Sequence, residues 1–318
     1  MMKMYKYALW MTVVLSATVQ LSAQKIEPIP FGDMDNWLVR EIKESALLGG
    51  NTQYVYAVAP SDTVKGNEAY VPKESPWGSS NVMANVMGVI KTSTTVFPEK
   101  RGNGYCARME TKLVSCKVLG MFNIKVLASG TIFLGQMDEP IRNTNDPQSK
   151  MISGIPFTKR PTALMLDYKA SPAEKMIKAT GFSKIQNLDG RDSAEVCVYL
   201  QKRWEDEQGN IHAKRIATAY YKFGQASNGW VNEFKIPFLY GDITQHPDYK
   251  PYMCLVPEND PKYTRNSKGE MVPIHEEAWG DAQDEPTHII LRISAGDKGA
   301  YIGSPDSKLW VDNVKFVY

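Results

Sequence analysis

Along the chain, stretches in which apolar and polar residues alternate, or in which β-branched and aromatic residues concentrate, outnumber stretches with a helical period. They fall at Tyr54–Ala59, Tyr105–Val114, Asn123–Leu134, Thr162–Lys169, Ala194–Trp204, Arg215–Phe223, Trp230–Tyr240, His288–Ser294 and Leu309–Tyr318, and each predicts a strand. Glu195–Leu200 is apolar on both faces, as in an inner strand, whereas Ile289–Ser294 has one apolar face and one carrying Arg292 and Ser294. Helical signals are confined to Pro172–Thr180, which opens on proline, and Ser80–Lys91. Pro, Gly, Asn and Asp gather most densely at Asp138–Pro161 and Val256–Pro286, which predicts two long surface loops. No repeat, heptad or dividing linker interrupts the pattern. The chain is expected to be all-β, one domain over residues 24–318, with a few short helices.

Residues 1–23 stand apart from that pattern. Lys3 and Lys6 precede a ten-residue apolar run, Ala8–Ala17, and Leu21-Ser22-Ala23 offers a small residue before Gln24. The run is too short to span a bilayer, which takes about 20 residues, so it reads as an export signal, with an uncleaved interfacial anchor as the other reading. No cysteine follows it to carry a lipid. The expectation is a protein that is secreted, periplasmic or outer-membrane associated, without a transmembrane anchor.

Composition narrows the function classes. The 318 residues are 43% hydrophobic and 23% charged, with 37 basic against 35 acidic side chains, as in ordinary folded proteins. Residues 1–23 hold two of the lysines and no acid, so the remainder is balanced and offers no net field to a nucleic acid. Cys106, Cys116, Cys197 and Cys254 form an even set that export would allow to pair. Cys106 and Cys116 flank one strand-turn segment, yet Cys106 and Cys197 sit in apolar runs that suit buried free thiols. No CxxC supports a zinc or redox site.

Motifs mostly remove possibilities. Gly102-Asn103-Gly104-Tyr105-Cys106-Ala107 has the letters of a dinucleotide fingerprint, but it leads into a strand rather than opening a helix. P-loop, HExxH and GxSxG patterns are absent from the sequence. Asp189, Asp192 and Glu195 are close enough in sequence to raise paired-carboxylate glycoside hydrolysis, although Asn187-Leu188-Asp189-Gly190 is first a turn signature.

Alternation in Leu309–Tyr318 puts Asp312 on one face with Trp310, Val314, Phe316 and Tyr318, and a carboxylate on so apolar a face needs an arginine, backbone amides or a calcium ion. Trp77 and Trp279 sit in polar, Gly-containing segments, where an indole can serve as a stacking platform for the apolar face of a sugar. Trp37, Trp204, Trp230 and Trp310 lie in or beside apolar runs and read as core.

The segments Ile29-Pro30-Phe31-Gly32-Asp33-Met34-Asp35-Asn36-Trp37, Arg101–Thr111 (RGNGYCARMET), Gly154–Pro161 (GIPFTKRP), Leu166–Lys169 (LDYK) and Gly303-Ser304 through Leu309–Val314 (LWVDNV) together resemble the putative carbohydrate metabolism domain of exported proteins from Gram-negative gut bacteria. The resemblance runs over most of residues 27–318. It implies a jelly-roll β-sandwich similar to carbohydrate-binding modules and galactose-binding domains, with a role in glycan use. It also implies a structural calcium near the chain ends, for which Asp33 and Asp312 are the matching ligands, and no other cofactor. Arg160, Tyr168 and Arg108 match its polar motif positions and either line a binding groove or fix the sandwich. No catalytic residues carry over. The resulting expectation is a secreted module that binds an oligosaccharide or polysaccharide without cleaving it, with a glycoside hydrolase and a structural or adhesive envelope protein as the alternatives.

Overall fold

A computed structural model describes residues 24–118, 122–142, 146–181 and 183–318. The export signal expected over residues 1–23 lies outside the described residues. Each of the nine predicted segments is strand, although Asn123–Leu134 divides in two at Gly130 and Trp230–Tyr240 divides at Phe238. A side chain at Gly130 would sit 2.4 Å from the Thr95 carbonyl oxygen, so the backbones meet there and the strand breaks. The strands that build the two large sheets are β1 (Val96–Arg101), β2 (Gly104–Val118), β3 (Phe122–Ser129), β4 (Thr131–Met137), β5 (Met151–Ser153), β6 (Ala163–Ser171), β7 (Ala194–Glu205), β8 (Ile211–Phe223), β9 (Val231–Pro237), β10 (Lys262–Arg265), β11 (Met271–Trp279), β12 (His288–Ser294) and β13 (Lys308–Val317).

Both helical expectations fail. Ser80–Lys91 folds as a hairpin, Val82–Val86 against Val89–Ser93, because Met87 and Gly88 take left-handed φ of 51° and 83° and turn the chain between β-branched residues. Pro172–Thr180 contains a strand, Met176–Lys178, recruited by pairing with Gln186–Leu188 and Ile302–Gly303. The expected loop Val256–Pro286 contains β10 and β11, again set by partners rather than by local pattern. Short 3₁₀ turns at Ala46–Leu48, Pro147–Lys150 and Pro251–Met253 are the helical content among the described residues.

The result is an all-β sandwich. An eight-stranded sheet runs β3-β2-β13-β6-β9, with Thr180–Gly181 beside β3, β1 beside β2 and Ile26–Pro28 beside β13. A ten-stranded sheet runs β12-β7-β8-β11-β10-β5-β4, with Ile155–Pro156 beside β12, Leu239–Tyr240 beside β8 and Trp77–Ser79 beside β4, and it closes because β4 also pairs with β12. Ala107, Met109, Leu164, Leu166, Leu309 and Val311 from the first sheet pack against Val196, Val198, Leu200, Ala219, Leu291 and Ile293 from the second, all nearly or wholly buried. The remaining face of β7 points into the closed ring, where Cys197, Tyr199, Ala213, Ile274 and Ile290 form a second core. Cys106 and Cys197 are buried free thiols and Cys254 is an exposed one; the side chain of Cys116 is outside the described residues.

The ring also buries charge. Arg215 on β8 forks onto Glu276 on β11, both wholly buried, and Arg215 lies 3.5 Å over the Tyr199 ring. Gln201 and the Val256 amide also donate to Glu276, so its lone pairs are occupied. Burial pushes Glu276 toward the neutral form, but Arg215 outweighs it and the carboxyl ends below its ordinary pKa. A gap beside this core, lined by Phe133, Cys197, Ile290 and Arg292 among others, is about 20 Å³. That volume holds roughly one water, so the ring is a packed core and not a binding channel.

Glu276→Gln strands the Arg215 charge inside the ring. The expected loss in urea unfolding is about 3–5 kcal/mol, against less than about 1 kcal/mol for Lys202→Ala, which breaks the half-exposed bridge to Asp284. Equal effects of the two substitutions would contradict this account of the ring.

Candidate functional site

The outer face of the eight-stranded sheet is set by one irregularity in β13. Asn313 takes a left-handed φ of 54°, and the pairing with β6 slips so that Met165 faces Lys315 while Asp167 faces Asp312. This bulge inserts one residue and breaks the alternation. Leu309, Val311, Val314 and Phe316 face the core, whereas Trp310 and Asp312 face outward. The expectation that Asp312 shares a face with Val314 and Phe316 is therefore corrected, and so is the expectation that Trp310 is core.

Across that outer face runs a row of rings and cations. Phe97 on β1 is the cross-strand partner of Arg108 on β2, Arg108 of Trp310 on β13, and Trp310 of Lys169 on β6. Trp230, one residue before β9, follows next. The Arg108 guanidinium lies 4.5 Å from the Phe97 ring centroid, the Lys169 ammonium 3.9 Å from Trp310 and 5.8 Å from Trp230, and the Arg101 guanidinium 3.9 Å from Trp230. The Trp310 Nε1–H donates to Glu99 Oε1 over 2.7 Å, and Arg108 Nε lies 2.8 Å from Glu99 Oε2, which fixes the indole in its plane. Phe97, Trp230 and Trp310 are each half-buried, with a cation over a face of each ring.

Beside the row, Arg101 bonds Asp167 over 2.8 Å, Asp312 over 2.5 Å and Asn232 over 2.6 Å. Burial raises the Asp312 pKa despite Arg101, while three donors, the Glu233 amide, Asn313 and Arg101, overcome burial and lower that of Asp167. Asp312 thus takes two of the partners that its setting required, an arginine and the Asn313 amide. Asp33 is exposed and accepts a 3.4 Å bond from the Asp35 amide. Among the described residues no cluster of three or more His, Cys, Asp or Glu side chains could hold a metal ion. A cation on Asp312 would have to displace a guanidinium, so this pair does not fit the expected calcium site.

The other predicted residues scatter. Trp77 is not in a loop: it sits in the strand Trp77–Ser79, 3% exposed, its Nε1–H donating to the Pro30 carbonyl, and has no free face for a sugar. Trp279 ends β11, half-buried and 5.7 Å from Arg215. Arg160 donates to the Ala282 and Asp284 carbonyls and covers the Tyr240 ring, clamping a loop. Tyr168 packs against Phe223 and Phe234, ring centroids 4.4 and 5.1 Å away. Arg108 alone of these belongs to the row. Trp204, expected as core, is 40% exposed and stacks on His212, while Trp37 is buried as expected. The row escaped sequence reading because its members come from distant segments; one signal was available, the aromatic-then-charge steps Trp310-x-Asp312 and Phe97-x-Glu99-x-Arg101.

The three acids proposed as a catalytic group also separate. Asp189 is exposed in its turn. Glu195 is buried, accepting from Tyr220 and Arg292. Asp192 is buried and accepts from the amides of Ser193, Asp297 and Ser304, tying the 296–304 segment to β7. A ligand-sized groove of about 400 Å³ lies elsewhere, lined by Ile29, Pro30, Phe157 and Phe316 together with Glu27 and Glu74.

The sequence model of a putative carbohydrate metabolism domain matches residues 52–317. No protein of curated function matches the chain. Several solved structures are similar, two of which follow. One is described as a putative glycoside hydrolase from Bacteroides thetaiotaomicron vpi-5482, with 17% identity, a TM-score of 0.48, and coverage of 88% of this chain and 70% of its own. The other is described as a putative glycoside hydrolase from Bacteroides vulgatus ATCC 8482, with 13% identity, a TM-score of 0.41, and coverage of 92% of this chain and 94% of its own.

Asp192 and Asp297 behave as a pair. Burial and the neighbouring acid push Asp192 up to about 6; Asp297 is also buried, but the hydrogen bonds from Asp192 and Lys222 outweigh that and bring it down to about 2. A raised acid stabilises the fold below its unfolded value, roughly 3.9, and that contribution is lost as pH rises through the folded value. Wild-type stability is therefore expected to fall relative to Asp192→Asn between pH 4 and pH 7 in parallel urea titrations. Parallel profiles for the two proteins would show that Asp192 is ionised in the fold.

Proposed function

The chain belongs to the putative carbohydrate metabolism domain family, and from that premise we propose that it is an exported glycan-binding protein whose platform is the outer face of the eight-stranded sheet. The observation that carries this reading is the row Phe97, Trp310 and Trp230, three partly exposed rings on one sheet face, with Arg108 between the first two and Lys169 beside the last two. Apolar faces of pyranose rings stack on such rings, while Lys169, which no carboxylate engages among the described residues, can donate to hydroxyl groups. Because Glu99 and Arg108 fix Trp310 and Phe97 before any ligand arrives, little side-chain entropy is lost on binding. The platform breaks no bond: its carboxylates, Glu99, Glu110, Asp167 and Asp312, are each engaged by an arginine.

A hydrolytic reading has one observation in its favour, that Glu27 and Glu74 line the same groove. The hydrogen bond from Lys159 holds Glu27 below the usual carboxylate range, so Glu27 would serve as the base or nucleophile, with Glu74 as the second carboxyl.

A glycan array with affinity electrophoresis, followed by a reducing-sugar assay on every bound glycan, separates the two. Trp310→Ala and Trp230→Ala are each expected to weaken binding at least about tenfold, the scale of one base- or sugar-sized stacking contact, with no sugar released. Sugar release that disappears in Glu27→Gln or Glu74→Gln would replace the binding reading with the hydrolytic one.

A further inference from the structure

The cations of the outer face are not equivalent. Arg101 is engaged by Asp167 and Asp312, Arg108 by Glu99 and Glu110, and Lys112 by Glu110. Lys169 has no carboxylate within salt-bridge distance among the described residues, although it stands between two indoles at the centre of the row. Lys308 is likewise without one. It lies two residues before Trp310 on the same face of β13, and its cross-strand neighbour Glu110 is already bound by Arg108 and Lys112.

Cation–π contact compensates an ammonium only in part, because it supplies no hydrogen-bond acceptor for its three donors. A neutral sugar stacked over Trp310 and Trp230 would shield Lys169 further from water without supplying charge. An anionic group on the sugar would instead give a charge-assisted hydrogen bond where the protein leaves one unmade. Building on the platform reading above, we propose that the ligand of this face is an acidic glycan, its pyranose rings on Trp310 and Trp230 and its carboxylate or sulfate group on Lys169, with Lys308 receiving a second anionic group along the strand. Arg101, Arg108 and Lys112 set three positive charges against the four neighbouring carboxylates, and Lys169 and Lys308 bring the total to five against four, so the positive excess of the face lies with the two lysines that no carboxylate engages.

Matched polymers test the charge separately from the backbone. Polygalacturonate is compared with its fully methyl-esterified form, and dextran sulfate with dextran, by titration calorimetry on wild type, Lys169→Met, Trp310→Ala and the exposed control Lys250→Met. Thermal melts check that each variant is folded. The expected result is binding to at least one charged member of a pair, weaker by about tenfold or more in Lys169→Met, unchanged in Lys250→Met, lost in Trp310→Ala, and falling as salt rises. Which charged polymer binds tells carboxylate from sulfate. Equal binding of the neutral partner, lost in Trp310→Ala but indifferent to Lys169→Met, overturns the acidic-ligand proposal and leaves the platform standing. Binding by no polymer, or binding indifferent to Trp310→Ala, overturns both.

Discussion

Burial of β7 on both faces is the constraint from which the rest of this structure follows. From Ala194 to Gln201 every residue of the strand is buried, so neither side of the ten-stranded sheet can face water there. One side is covered by the eight-stranded sheet, through Val196, Val198 and Leu200. The other must be covered by the sheet itself, which closes from β4 to β12 and turns the opposite side chains inward. A strand that carries Glu195 and Gln201 on its inner side then has to satisfy them without solvent. Arg292 and Tyr220 do so for Glu195, and Glu276 with Arg203 does so for Gln201.

Closing the ring turns one face of the ten-stranded sheet inward, while the eight-stranded sheet keeps an outer face that carries the row of rings and cations. There the chain meets the opposite problem. Half-exposed rings on an open sheet invite association with other sheets, and the cations laid between them keep the face wet while leaving the indoles available. The same arrangement that discourages aggregation fixes the rings with a cation between each pair, so under the proposed function solubility and ligand recognition would draw on one set of side chains. The bulge at Asn313 matters for this reason. Without the extra residue Trp310 and Val314 would lie on the same side, and either the core or the platform would lose its member.

Sequence reading reached the strands more easily than the site. All nine alternating segments are strands because their side chains are buried on at least one face, a property carried by the residues themselves. The short strands Met176–Lys178, Lys262–Arg265 and Met271–Trp279 carry no such pattern and exist because a partner strand supplies their hydrogen bonds. Arg108 was recognisable from its motif, yet its purpose was not, since Phe97, Trp310 and Trp230 stand beside it only through pairings between residues as far apart as 97 and 310. Trp77 shows the reverse error: a polar, Gly-containing neighbourhood suggested exposure, while pairing with β4 and a hydrogen bond to Pro30 buried it.

What the amino-acid sequence determined by itself was the all-β class, the inner character of β7 and the family, because each rests on the order and local spacing of side chains. What tertiary structure decided was which face each aromatic and carboxylate occupies. Alternation along a strand fixes side-chain direction only relative to its neighbours, and a single left-handed residue such as Asn313 reverses it. Partner choice between strands, which closes the ring and aligns the row, depends on contacts distant in sequence and is settled only when the whole core packs.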